Sequence, residues 1–77
     1  MRGDDKQMAR SKEEMGRAFQ ARRKELGLTR VEMNARLGYV YQSSEIKKIE
    51  NGERYVPLDR LREYAEILQV PVDFLVP

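Results

Sequence analysis

An all-α fold follows from three observations on these 77 residues. Apolar residues recur at the three-and-four spacing of an amphipathic helix in four separate stretches. Two of the stretches open with a hydroxyl residue followed three positions later by glutamate, the spacing of a capping box. Three of them close on a glycine, where a chain leaves a helix in the left-handed conformation.

The elements follow in order. Residues 1–10 are polar, with balanced charge and little apolar content, and are expected to form a flexible tail. Ser11 and Glu14 open the first helix, with Met15, Ala18, Phe19, Arg22 and Leu26 on its repeating face, and Gly27 ends it. Phe19 and Leu26 are its expected core residues. Thr29 and Glu32 open the second helix, whose apolar residues are Val31, Met33 and Leu37 and whose stop is Gly38. Tyr39, Val40 and Tyr41 connect it to a third helix running from Gln42 or Ser43 to Asn51. In that helix Ile46 and Ile49 face inward and Gly52 is the stop. Pro57 marks the entry to a fourth helix, carrying Leu58, Leu61, Tyr64, Ala65 and Leu68. Val70-Pro71-Val72 breaks that pattern. A fifth, single-turn helix at Val72–Leu75 either returns Phe74 and Leu75 to the core or leaves them exposed to a partner. The expected organisation is therefore a tail and one domain over residues 11–77.

Composition narrows the function. A chain of this length buries a small core and is marginal alone, so dimerisation is a natural support. Cysteine and histidine are both absent, which removes thiolate and imidazole ligands and the commonest general base. With no nucleophile–base pair, metal spacing or glycine-rich phosphate loop either, neither enzyme activity nor a metal or cofactor is expected. The apolar runs are too short for a secretory signal or a membrane span, which points to the cytoplasm.

Charge is unevenly placed. The net charge is only +2. Between Met15 and Arg30, however, five basic residues (Arg17, Arg22, Arg23, Lys24, Arg30) face one acid, Glu25. From Val56 onward two basic residues face four acids (Asp59, Glu63, Glu66, Asp73). Such a split suits a module that meets an anionic partner through one side.

Two short helical patterns joined through a glycine and closed by another, over residues 26–52, outline a helix-turn-helix. With LGLT and Glu32, RLG at Arg36 to Gly38, IKKIENG at Ile46 to Gly52 and YAEILQVPVDFL at residues 64–75, the chain resembles the Cro/phage-repressor type of helix-turn-helix domain, the xenobiotic-response-element family. That resemblance implies a five-helix repressor-like DNA-binding domain. It implies that Arg23 and Glu50 form an ion pair tying the first helix to the end of the third. It further implies base contacts from Gln42, Ser43, Ser44 and Lys47, residue types able to bond base edges. Phosphate contacts are implied for Thr29, Arg30, Lys48, Asn51, Arg54 and Tyr55.

The sequence departs from the family pattern at several positions. The connection from Gly38 to Ile46 is longer than the family's usual turn. Asn34 stands where the family prefers alanine, and a buried asparagine needs hydrogen-bond partners. Arg30 stands where glutamine is common. Between Gln42 and Tyr55 the cations Lys47, Lys48 and Arg54 are matched by Glu45, Glu50 and Glu53, which weakens attraction to phosphates.

Two functions are therefore expected to compete. One is a small transcriptional regulator, a repressor binding double-stranded DNA as a homodimer, its two-fold contact made by the acidic C-terminal part around residues 70–76. The other is a protein-binding regulator on the same fold, an antiactivator or antitoxin that sequesters an activator or toxin. For that reading Tyr39, Tyr41, Phe74 and Leu75 are the expected interface. A continuous positive face joining Arg22, Arg30, Lys47, Lys48 and Arg54 would favour the first.

Overall fold

A computed structural model of the chain describes residues 11–38 and 45–76. The tail, Tyr39, Val40 and Tyr41 of the connection, and the expected start of the third helix at Gln42 or Ser43 lie outside the described residues. Four α-helices are present among those described: α1 (Lys12–Glu25), α2 (Arg30–Arg36), α3 (Glu45–Glu50) and α4 (Leu61–Leu68). Two 3-10 turns flank α4, at Leu58–Arg60 and Val72–Leu75. The fifth element is thus a 3-10 turn, and all the regular structure described is helical.

Local chemistry sets the helix ends. Ser11 Oγ accepts from the Glu14 N–H at 3.0 Å, and the Glu14 carboxylate accepts from the Ser11 N–H at 3.0 Å. Thr29 and Glu32 repeat this at 3.0 and 2.8 Å. Each box satisfies two N–H groups that have no partner inside the helix. At the end of α3, the Glu53 and Gly52 N–H groups bond back to the Lys48 and Ile49 carbonyls at 2.9 and 3.1 Å, with Gly52 at φ +80°. Gln69 does the same for α4 at φ +57°, a conformation that L side chains adopt at a cost.

The core joins the four α-helices and the turn at Val72–Leu75. Met15 and Phe19 of α1, Met33 and Leu37 of α2 and its end, Ile46 and Ile49 of α3, Val56 of the following loop, Tyr64, Ala65 and Leu68 of α4, and Leu75 form one buried cluster. Phe19 and Tyr64 pack as a tilted ring pair, centroids 6.1 Å apart and planes at 57°, in the range where aromatic pairs attract. Leu26 packs against this cluster without being fully buried. Leu75 is fully buried, so the turn at Val72–Leu75 completes the core and does not offer Leu75 to a partner, while Phe74 packs half-buried against the core. Val31 and Leu58, by contrast, are 72% and 73% exposed. Leu58 leaves the apolar face because the expected fourth helix is broken: Arg60 sits at φ −122°, ψ 11°, and α4 begins only at Leu61.

Two arginines stitch these elements at their carbonyl ends. Arg22 donates to the Leu68 carbonyl at 2.9 Å and to that of Gln69 at 3.3 Å, closing α4 against α1. Arg60 donates to the Leu37 carbonyl at 2.7 Å, fixing the end of α2 from the start of α4. Cations suit these carbonyl-rich termini.

α1 and α3 cross closely at Gly16. A Cβ added there would lie 2.5 Å from the Ile49 carbonyl oxygen and 2.6 Å from that of Glu50. Both are backbone atoms of a packed helix, so neither retreats cheaply. Gly16→Ala is expected to destabilise the fold by about 1–3 kcal/mol, as overpacking does, despite alanine's better helix propensity. Thermal or urea denaturation checks this; an unchanged or raised midpoint refutes the close crossing.

Candidate nucleic-acid interface

The site is organised around a carboxylate with no exposure to solvent. Glu50, the last residue of α3, has its side chain 0% exposed. A lone buried carboxylate is costly and must be matched by donors. Arg23 of α1 supplies two: Nε donates to Oε2 at 2.6 Å and Nη2 to Oε1 at 3.0 Å, a bidentate pair. Its remaining Nη1 donates to the Leu28 carbonyl at 2.8 Å, so Arg23 also pins the link between α1 and α2. Arg30, the first residue of α2, donates to the same Oε1 through Nε at 3.1 Å, with Nη2 at 3.0 Å. Gln20 adds a donor at 3.3 Å. One carboxylate therefore ties three helices together, and the two guanidiniums around it leave one positive charge uncompensated.

Arg30 is where that charge reaches the surface. Its side chain is 38% exposed. With Nε and Nη2 on Glu50, its Nη1 group makes no hydrogen bond among the described residues. Thr29 caps the helix beside it. Further along, α3 has two faces: Ile46, Ile49 and Glu50 are buried, whereas Lys47 and Lys48 are exposed and make no ion pair among the described residues. Asn51 is exposed at the end of the helix.

The other expected contact residues are engaged elsewhere. Arg54 Nη1 pairs with Glu45 Oε1 at 3.2 Å, joining the loop after α3 to its first described turn. The pair is partly exposed and contributes at most about 1 kcal/mol. Tyr55 is half-buried against the core, with the Lys12 ammonium 6.0 Å from its ring centroid. Arg22 is bound to backbone carbonyls and to Glu25 at 3.1 Å, and so is not part of a free cationic face. Gln42, Ser43 and Ser44, expected to contact bases, and Tyr39 and Tyr41, expected at a protein interface, lie outside the described residues.

Three features had no counterpart in the reading of the sequence: the close approach at Gly16, the entry of Arg30 into the Glu50 cluster, and the Glu45–Arg54 pair. Arg30 carried a signal, since arginine for glutamine beside a carboxylate-bearing helix end adds a charge that seeks a partner. Asn34 is buried, and its Oδ1 has no hydrogen-bond partner among the described residues. An unpaired buried acceptor costs about 1–3 kcal/mol.

Two carboxyls are held below their ordinary value of 4.5. Glu32 is lowered chiefly by the backbone N–H of Thr29 and then by its hydroxyl, and Glu63 by the Arg60 guanidinium. Because the folded pKa is depressed in each case, the stabilisation is present above pH 4.5 and is lost as pH falls through the folded value. Thermal midpoints should therefore fall on acidification below that point, and Glu32→Gln should flatten the dependence.

The buried cluster gives a larger effect. Removing one partner from a buried ion pair costs about 3–5 kcal/mol. Arg23→Ala and Glu50→Ala are each expected to lose an amount in that range by denaturant titration. A loss below about 1 kcal/mol, the value of a surface pair, would show that the cluster is solvated.

Among the described residues no helix is long and apolar enough to cross a membrane. A helix-turn-helix family model matches residues 19–75. The chain is similar to the crystal structure of the DNA-binding domain of BldD, with a TM-score of 0.69 and 27% identity, over 87% of this chain and 94% of that one. A comparison with curated proteins finds no match.

Proposed function

The chain belongs to the helix-turn-helix family, and we propose that it is a DNA-binding transcriptional regulator, a repressor that seats α3 in the major groove. The observation that carries this reading is the division of α3 into a buried face bearing Ile46, Ile49 and Glu50 and an exposed face bearing two lysines that make no ion pair among the described residues. A helix locked on one side and cationic on the other is what groove entry requires. The likeness to a DNA-binding domain points the same way.

In this reading Lys47, with Gln42, Ser43 and Ser44, contacts bases, and the phosphates are met by Thr29, Arg30, Lys48, Asn51, Arg54 and Tyr55. Arg30 is suited to its part because Glu50 holds one edge of the guanidinium and leaves Nη1 for a phosphate oxygen. Arg54 would have to exchange Glu45 for phosphate.

That exchange favours a second reading, a protein-binding regulator such as an antiactivator or antitoxin. Arg22 and Arg54 are engaged within the chain, so the five-cation face is reduced to the two lysines and the outward edge of Arg30.

Salt titration of binding to mixed genomic duplex fragments, followed by anisotropy, separates the two. Affinity should fall steeply with salt as condensed counterions return to the DNA. Lys47→Ala with Lys48→Ala should reduce the slope by about one for each phosphate no longer neutralised, with the melting curve unchanged. A folded sample that binds no duplex at low salt overturns the DNA reading in favour of a protein partner.

A further inference from the structure

We propose that the hollow between the end of α1 and the start of α2 binds a small organic phosphate monoester, its phosphate held by Lys24, Thr29 and Arg30 and its apolar body laid against Val31. The hollow is walled by Lys24, Gly27, Leu28, Thr29, Arg30 and Val31, with Gln20 and Arg23 behind them. It is open to solvent and has a volume of about 590 Å³, within the roughly 300–1,000 Å³ of small-ligand sites. Its charge is one-sided: three basic residues line it and no acid does. Glu50, whose side chain has no solvent exposure, offsets one of the three from below. The acids next in sequence are occupied, Glu25 by Arg22 at 3.1 Å and Glu32 by the Thr29 N–H at 2.8 Å. A concave surface lined by charge of one sign focuses its field and concentrates ions of the other.

The donors select the head of the ligand. Arg30 is held along one edge by Glu50, through Nε at 3.1 Å and Nη2 at 3.0 Å, so its free Nη1 is already oriented and less freedom is lost when it binds. Lys24 is exposed, and its ammonium makes no ion pair among the described residues. Thr29 Oγ accepts from the Glu32 N–H at 3.0 Å, which leaves the hydroxyl hydrogen to donate. A guanidinium edge, an ammonium and a hydroxyl on three residues match the three terminal oxygens of a phosphate monoester better than the two of a carboxylate. Val31 selects the rest of the ligand. It is 72% exposed beside these cations, and a carbon body laid on it removes apolar surface from water. A single exposed valine is ordinary on a protein surface; this one forms a wall of a cationic hollow. Binding itself involves no DNA. Its regulatory consequence rests on the DNA reading, in which Arg30 Nη1 meets a backbone phosphate: an occupied hollow withdraws that contact and weakens the complex with DNA.

Titration of the full chain with phenyl phosphate at constant ionic strength, followed through backbone amide chemical shifts by NMR, tests the site. Amides at 24 and 27–31 should shift and saturate. Inorganic phosphate should shift the same amides with an affinity lower by about threefold or more, since it has no body to cover Val31. Lys24→Glu, at an exposed position, should keep its helical circular dichroism and weaken phenyl phosphate by roughly tenfold, one attraction being replaced by a repulsion. Val31→Ala should weaken phenyl phosphate by about threefold and leave inorganic phosphate unchanged. Shifts that are absent, do not saturate or centre on Lys47 and Lys48 would overturn the proposal, as would equal affinity for the two probes or variants that bind as the wild type does. Duplex binding repeated with phenyl phosphate present tests the regulatory consequence. DNA affinity should fall for the wild type and hold for Lys24→Glu; a wild-type affinity that holds with the hollow occupied overturns that consequence alone. If no duplex is bound at all, the DNA reading fails and the NMR titration still decides the site.

Discussion

The Glu50 carboxylate is the constraint on which the arrangement of the three N-terminal helices depends. A side chain with no solvent exposure cannot keep a charge unless its oxygens are bonded, and here α1 supplies Gln20 and Arg23 while α2 supplies Arg30. The requirement is geometric as much as energetic. Arg23 meets both oxygens only if the end of α3 lies against α1, and it lies there because residue 16 has no side chain. The third Arg23 donor reaches the Leu28 carbonyl, so the entry to α2 is fixed by the same guanidinium. Buried ion pairs often add little net stability over an apolar replacement, and their best-attested role is to specify one arrangement among several. In this fold the apolar cluster supplies the drive to collapse and the Glu50 cluster sets the register of α3.

The use of cations follows from that register. Of the basic residues expected on one continuous face, Arg22 closes α4, Arg30 shares Glu50, and Arg54 offsets Glu45. Charge counted along the sequence thus overstates what the surface presents. A residue such as Arg30 nevertheless serves both ends at once, because five N–H groups on one rigid plane allow it to hold a carboxylate and face outward. Lys47 and Lys48, each a point charge on a flexible stem, are cations of a different kind.

Local features were legible in the sequence to the extent that their cause is local. Both capping boxes depend on residues three apart and appear at the expected positions, as does the glycine stop at Gly52. The Arg23–Glu50 contact was legible only through family resemblance, since the two residues are far apart in sequence. Where the cause is a tertiary contact, the sequence is silent. Gly16 stands mid-helix with no turn to mark it, yet α3 comes up against α1 there. Arg60 breaks the helix expected from Pro57 because its backbone leaves helical geometry while its side chain reaches Leu37, and no periodic pattern encodes that reach. Gln69 stops α4 in the left-handed region without the glycine that usually signals it. The fate of Phe74 and Leu75 stood open for the same reason, since an apolar pair after a proline reads alike whether it folds back or not.

The stitching of early helices by late residues also bears on how the chain folds as it is made. Phe19 packs against Tyr64, Arg22 bonds the carbonyls at 68 and 69, the end of α2 is held by Arg60, and Leu75 completes the shared core. When α1, α2 and α3 have left the ribosome, the residues that cover their apolar faces are still in the tunnel. The helix-turn-helix segment therefore has no stable fold of its own at that stage, and the domain closes in one cooperative step once residues near 75 emerge.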